Sequence, residues 1–498
     1  MLIKKSTPHK INESDTSAKE TPFIVWPIYI LRFLIAIAVA GIMLNMLVLS
    51  DIIWQDQTFY PLEMGILIGT RTWGMAVSGL LIGRLADKFS RKFLLLIMVF
   101  LIAAGRFLNA FAPMGEPISY GYFLFCFSLT GLGLGGIEPI ILSYTNDALS
   151  KEKRSRFFGI QESSRQVGAT FGTILSAILF QFGYWKLYFW IAGSILFIIM
   201  IILWIYLKEP KRGQNSQKDL SNLLNSTDIV YEYQLNAKTV KSTIFSPTNI
   251  IAFIEGIFTW LIFAIALYMI YPYLQSEPYN ISPIANGILM IIFGMPGAIF
   301  GGIVFGKISD TFGKRNIKWR VILIIFSIIT LFISIVLVFV IPLQPLTPEE
   351  GNNIILLFSY PSGWMFGLII FTIRAVLGIY NVNQNPIIQA INLPEAQGTV
   401  SSWGQFLETI ANGLGPVIAG YILSVNEGNY FEAAWITLLL GIPGAFLWIL
   451  ALKFINSDVA RIQRILKLRT KELHERNNGI KEIDLKEIVE PNEKKKKI

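Results

Sequence analysis

The sequence predicts an all-α polytopic membrane protein, with twelve transmembrane helices in two pseudo-symmetric six-helix bundles. Three observations predict it. The chain has 498 residues, is 53% hydrophobic and is only 15% charged, where a soluble domain carries roughly 25% charge. Its apolar runs are long enough to cross about 30 Å of hydrocarbon at about 1.5 Å per residue. The second half repeats landmarks of the first at nearly constant offsets.

Residues 1–26 are polar and hold no short apolar core with a small-residue cleavage pattern, so they read as a cytoplasmic tail, not a signal peptide. Six apolar runs follow at 27–50, 61–83, 93–113, 119–146, 157–181 and 186–207, forming an N-terminal bundle over 27–207. Residues 208–246, with KEPKRGQNSQKD, form a polar cytoplasmic linker. Six more runs lie at 247–272, 284–305, 319–342, 363–387, 399–424 and 432–453, forming a C-terminal bundle over 247–453. The tail 454–498 carries a weakly amphipathic stretch (Val459, Ile462, Ile465, Leu466) and a closing KKKK run, and reads as a solvated cytoplasmic segment beside the membrane.

Orientation follows from Lys and Arg in the short loops. With the N-terminus inside, the inner loops hold GRLADKFSRK, SKEKRSR and GKISDTFGKRNIKWR, while the outer loops hold acids and one boundary lysine, Lys186. Both termini then lie in the cytoplasm, at the cell membrane. This sorting also accounts for the net charge of +9 without a nucleic-acid partner. The single cysteine, Cys126, precludes an intrachain disulfide, and His9 and His474 lie in the polar tails. No group of His, Cys and carboxylates has metal-ligand spacing, so no metal and no cofactor is expected. No nucleophile–base pair lies within the membrane, which argues against an enzyme.

A shift of 223 residues carries Gly83 onto Gly306, Asp87 onto Asp310, and Gly74 and Ser78 onto Gly297 and Gly301. A shift of 247 carries Gly131 onto Gly378 and Glu138-Pro139 onto Asn385-Pro386, and one of 243 carries Gly172 onto Gly415. This is a duplication of six spans, the symmetry on which alternating access is built. GRLADKFSRK (83–92) and GKISDTFGKR (306–315) share the pattern Gly-x-x-x-Asp-(Arg/Lys)-x-Gly-(Arg/Lys)-(Arg/Lys), apart from Ser90 in the first copy and Thr311 in the second. That pattern, twice between spans, with RAVLG (374–378) and GLGPVIAG (413–420), resembles the major facilitator superfamily over residues 27–453. The resemblance implies that family's twelve-helix fold and transport by alternating access. It makes Gly83, Asp87, Arg91, Lys92, Gly306, Asp310, Lys314 and Arg315 conformational motif residues, with Asp147 an acid for the basic pair. Asp87 and Asp310 are expected at helix ends, where a carboxylate near a helix N-terminus gains roughly 0.3–1 kcal/mol when exposed.

A charge at mid-bilayer is costly unless paired or hydrated, so each is a candidate for function. Arg71, Glu138, Arg165, Glu255, Arg374, Glu408, Asn412 and Arg32 are the substrate and coupling candidates. The duplication sets Arg32 on Glu255 and Arg165 on Glu408, opposite charges that rocking halves could make and break as pairs. Gln161, Arg165, Gly168 and Gly172 share one stripe of the fifth span; Gln405, Glu408, Asn412 and Gly415 share one on the eleventh; Arg71, Gly74 and Ser78 share one on the second. Glu408 is the expected proton carrier, protonated in one state and paired with Arg71 in the other. Glu162 is expected to pair with Arg165 at i,i+3, and Arg106 to snorkel to the outer surface. Trp73, Trp260, Trp364 and Trp403 are candidate cavity walls.

The expected function is proton-coupled secondary active transport of a small organic anion or a lysolipid-like amphiphile by a monomer in the lipid bilayer. The alternatives are a proton-driven exporter of hydrophobic compounds and, from another class, a non-transporting membrane sensor or scaffold. No phosphate-binding Gly-Lys-Ser/Thr loop points to ATP.

Overall fold

The computed structural model describes residues 25–56, 58–86, 88–115, 117–149, 151–210 and 245–477. These residues are almost wholly helical and contain no strand. The N-terminal half comprises α1a (Trp26–Val39), α1b (Met46–Trp54), α2 (Pro61–Ala86), α3 (Arg91–Asn109), α4 (Ser119–Ala148), α5 (Lys151–Gln181) and α6 (Trp185–Tyr206). The C-terminal half comprises α7 (Pro247–Gln275), α8 (Pro283–Arg315), α9 (Lys318–Val340), α10 (Pro361–Ala390), α11 (Pro394–Val425) and α12 (Tyr430–Asn477). Ten of these helices are long and apolar enough to cross a membrane. The divided α1 and the charge-bearing α5 complete a set of twelve.

Four boundaries depart from the sequence reading. The first span is broken between Val39 and Met46, because Gly41 turns the chain with φ +77°. Asn45 holds the break by donating to the Gly41 carbonyl at 2.8 Å and to Ser176 Oγ at 3.3 Å. α8 runs on through Arg315, so GKISDTFGKR is helical and not a loop; Lys314 and Arg315 in its last turn suit the negative helix end. α8 also widens into a π turn at Met290–Gly294, just before Pro296, whose missing N–H leaves a backbone carbonyl unbonded. α12 continues far past 453, to Asn477.

Contacts sort the helix ends into two sides. Arg91 on α3, Asp147 on α4 and Glu209 just after α6 meet at one end of the N-terminal half. Thr248 on α7, Asn392 after α10 and Asp458 on α12 meet at the same end of the other half. This end borders residues 211–244 and is termed the linker side; the opposite end is the loop side.

Small residues set the packing within each half, and the two halves match. A Cβ at Gly131 would lie 2.1 Å from the Arg71 carbonyl and one at Gly135 2.0 Å from that of Met75, so α4 presses backbone to backbone on α2. In the C-terminal half, Gly297 and Gly301 of α8 meet the Phe371 and Ala375 carbonyls of α10 in the same way. One apolar core joins the halves on the loop side, uniting Met64, Leu67 and Phe180 with Tyr268, Leu289 and Phe366. A second core, around Leu31, Val99, Ile140 and Leu196, stays within the linker side of the N-terminal half.

Candidate functional site

The halves touch on the loop side. A Cβ at Gly65 would lie 2.2 Å from the Pro416 carbonyl, and one at Gly420 2.2 Å from that of Pro61, so α2 and α11 are in backbone contact. Gly413 and Gly420 are the ends of the GLGPVIAG stretch, which is thereby an interface element. Gln181 on α5 donates to Asn352 at 2.7 Å and accepts from the Ile284 backbone at 3.1 Å. Gln275 donates to the Leu44 carbonyl at 2.6 Å, and Tyr268 to that of Pro61. The motif glycines on the linker side are loose by comparison. A Cβ at Gly306 would meet nothing within 4 Å, and one at Gly83 only the Pro139 side chain at 3.9 Å. The close backbone contacts between the halves lie on the loop side, and the linker-side motif glycines make none.

The structure places the motif residues as follows. Arg91 is buried and bonds Asp147 at 2.5 Å and Ser143 at 2.8 Å. Lys92 donates to the Trp204 carbonyl at 2.6 Å, not to an acid. Ser90, where the family pattern has Gly, caps α3 by accepting from the Phe93 N–H, and donates to Glu209 at 2.8 Å. Glu209 also accepts from the Arg91 and Lys92 backbone N–H groups at 3.0 and 2.8 Å, which satisfies the donors of the α3 N-terminus. Asp310 pairs with Arg320 at 2.7 Å, within its own half. Lys314 and Arg315 are exposed on the last turn of α8. Asp87 lies outside the described residues.

The membrane charges do not pair across the two halves in this state. Arg32 on α1a bonds Glu138 on α4 at 2.9 Å, and Arg165 pairs with Glu162 at i,i+3. Arg32 and Glu255, expected as charges that rocking could pair and unpair, are apart in this state, and Arg32 finds its acid inside its own half. These four residues on α1a, α4 and α5 make a balanced set of two positive and two negative groups. Glu138 is 54% exposed, and Leu142 and Asn146 continue its open face along α4.

The duplicated positions in the C-terminal half are Glu255, Asn385, Gln405 and Glu408: two acids, two amides and no base. Glu255 is fully buried and accepts from Thr259 and, at 2.8 Å, from the Tyr380 hydroxyl. Gln384 donates from one amide nitrogen to Tyr380 Oη at 3.1 Å and to Glu408 Oε1 at 2.7 Å. Glu408 also packs on Gly256, where a Cβ would come within 2.9 Å of its Oε1. A continuous chain, Glu255–Tyr380–Gln384–Glu408, therefore links α7, α10 and α11. No Lys or Arg pairs with either acid among the described residues, and Arg71 does not pair with Glu408 in this state. Asn381, Asn385 and Gln389 form an exposed polar stripe on α10, one helical turn apart.

Tyr380, Gln384 and Thr259 escape a reading of sequence because uncharged polar residues in an apolar run raise no alarm. The signal is present in YNVNQNP (380–386), which crowds amides onto a span. Arg374 lies 5.7 Å from the centre of the Phe263 ring, beside Tyr271, with no acid paired to it among the described residues. Asn412 sits one turn along α11 from Glu408, as its spacing predicts. Trp73 donates from its ring to the Ile410 carbonyl at 3.3 Å, in the contact between halves. Trp364 is likewise occupied, donating to the Phe358 carbonyl at 2.9 Å. Arg106 does not snorkel; it is 0% exposed and lies 5.3 Å from the Phe127 ring centre. An open groove of about 550 Å³ runs between α1a and α5, lined by Tyr29, Phe33, Ile160, Val167 and, towards the linker side, Arg156.

Two six-helix halves in close contact on one side, with polar groups at membrane depth, are the architecture of a multi-pass membrane transporter. The chain belongs to the Major Facilitator Superfamily, whose family model matches residues 30–416. It is similar to a benzoate transport protein of Acinetobacter baylyi, at 23% identity over 88% of this chain and 92% of that one. The fold is similar to that of a bacterial homologue of the human lysosomal transporter Spinster, inward-facing and occupied, with TM-score 0.65 and 17% identity over 87% of this chain and 97% of that one. It is also similar to that of a D-xylose–proton symporter, with TM-score 0.60 and 14% identity over 85% and 97% of the two chains.

Proposed function

We propose that the protein is a proton-coupled carrier of a small organic anion, working by alternating access in the cell membrane. The observation that carries the reading is the Glu255–Tyr380–Gln384–Glu408 chain, two carboxylates at membrane depth with no basic partner among the described residues. A desolvated carboxylate without a cation is costly, and a bound proton removes the charge. Glu408, at the open end of the chain, exchanges the proton with the vestibule; Tyr380 and Gln384 pass its state to Glu255 on α7. Arg374 is the partner proposed for the substrate's anionic group, with the Phe263 ring as its apolar neighbour. The similarity to a benzoate transport protein supports a carboxylate. With Lys and Arg sorted to the linker side, that side is cytoplasmic, the termini and the linker lie there, and this state is open inward. Gly83, Asp87, Gly306 and Asp310 act when the linker side closes, and Arg91–Asp147 stiffens the end of the N-terminal half.

Proteoliposome flux tests the proposal, with labelled small carboxylates and protein-free vesicles as the blank. Glu408→Gln should abolish accumulation driven by a pH gradient and keep exchange between equal pools. Accumulation at the wild-type level in Glu408→Gln would place coupling elsewhere.

A second reading, an amphipathic or lysolipid-like substrate, rests on the groove between α1a and α5, whose walls are apolar and whose linker-side edge carries Arg156. It is favoured if lysolipids, and not aromatic carboxylates, raise the unfolding temperature of the purified protein.

A further inference from the structure

Arg106 is the one described arginine whose whole guanidinium, Nε and both terminal nitrogens, is buried without a hydrogen-bond partner. Its side chain is 0% exposed, near the loop-side end of α3. The surrounding side chains are closed as well: Phe127 and Cys126 on α4 and Tyr188 on α6 are each 0% exposed. The ionisable groups around Arg106 are Tyr188, Arg71 and Cys126, and none is a carboxylate.

The remaining local groups do not answer this charge. Tyr188 points its hydroxyl at three carbonyls at the end of α1a, those of Ile37, Ala38 and Ala40, at 3.0, 3.2 and 2.8 Å. Its oxygen accepts from no nitrogen of Arg106, which has no hydrogen-bond partner. The Phe127 ring face offers a cation–π contact at 5.3 Å, which supplies no hydrogen-bond acceptor for five N–H groups. A guanidinium keeps its charge across the physiological range, and an uncompensated buried charge is strongly destabilising.

We infer that the interior of the N-terminal half, between α2, α3, α4 and α6, binds a small monovalent inorganic anion of halide size against Arg106. The anion is a resident of the bundle. Buried Phe127, Cys126 and Tyr188 surround the guanidinium, so the ligand is not the transported substrate passing through the vestibule. The site would tie α3 to α2 and, through Tyr188, to the break in α1. It is independent of the proton chain in the other half, so failure of either idea leaves the other standing.

The test compares unfolding of the purified full-length protein in sodium chloride and in sodium gluconate at equal ionic strength. The wild type should unfold several degrees lower in gluconate and recover on titration with chloride or bromide. Arg106→Met should unfold at the same temperature in both salts, and in gluconate should be the more stable protein, because an apolar chain replaces an unpaired charge. Crystals of the wild type grown in bromide should show an anomalous peak against the Arg106 guanidinium. Equal midpoints for the wild type in the two salts, a chloride effect that persists in Arg106→Met, or a water in place of the bromide peak would each overturn the inference.

Discussion

At the residue scale the two halves solve the problem of charge in a membrane differently. The N-terminal half pairs its acids with arginines, Glu138 across helices with Arg32 and Glu162 along α5 with Arg165, while the C-terminal half leaves Glu255 and Glu408 to hydroxyl and amide partners. The charges and, through the duplication, their asymmetry are legible in the sequence. The i,i+3 pair Glu162–Arg165 is legible too, and Asp147 is the acid expected for Arg91, but a partner such as Glu138 for Arg32 is not, because it depends on which helices are adjacent and how they are rotated. Arg32 illustrates this: its duplicate is Glu255, yet its acid is Glu138, on a helix more than 100 residues away in the chain. Pairing is also testable at the buried Arg91–Asp147 bridge, whose side chains are 6% and 9% exposed. Arg91→Leu leaves Asp147 buried without its cation and should lower stability by about 3–5 kcal/mol. Arg91→Leu combined with Asp147→Leu should recover much of that loss in thermal unfolding followed by tryptophan fluorescence. Equal instability of the single and double variants would mean that the bridge is not what the arginine contributes.

At the element scale, hydropathy locates every span but does not see inside one. The run 27–50 is apolar apart from Arg32 and Asn45, so its hydropathy does not mark the break at Gly41; backbone sign is a property of one glycine, not of a window. Hydropathy ends the last span at 453 because the apolar run stops there, although the chain stays helical, with Ile462 buried and Arg461 and Arg464 beside it. The second motif copy reads as a loop because its charges end the apolar run, whereas charge at a helix C-terminus is compatible with helix. The break in α1 makes a prediction. A Cβ at Gly41 would sit 1.7 Å from Ser176 Oγ, at a φ of +77°. Gly41→Ala should therefore cost more than the roughly 1 kcal/mol of a left-handed glycine alone. Gly121→Ala, in a helix with nothing within 4 Å, should be neutral or stabilising. Similar unfolding temperatures for the two variants would show that the break is not held by Gly41.

At the scale of the whole molecule, the duplication visible in the sequence is the packing symmetry of the structure. Gly131 and Gly378 do the same work in α4 and α10, and Gly172 and Gly415 set α5 on α1 and α11 on α7. What no single sequence carries is the state: that the glycines of α2 and α11 are in contact while those of the linker-side motifs are free follows only from coordinates. The central claim is that these halves rock, exchanging loop-side closure for linker-side closure. Paired spin labels measure it most directly, in the full-length protein with the buried Cys126 replaced. One pair sits on the loop side at Tyr184 and Ile355, and one on the linker side at Phe89 and Phe312, all exposed positions. On adding protons and a transported anion, the loop-side distance distribution should lengthen as the linker-side distribution shortens. Distances that stay fixed on both sides under every condition, or that lengthen together, would contradict the account.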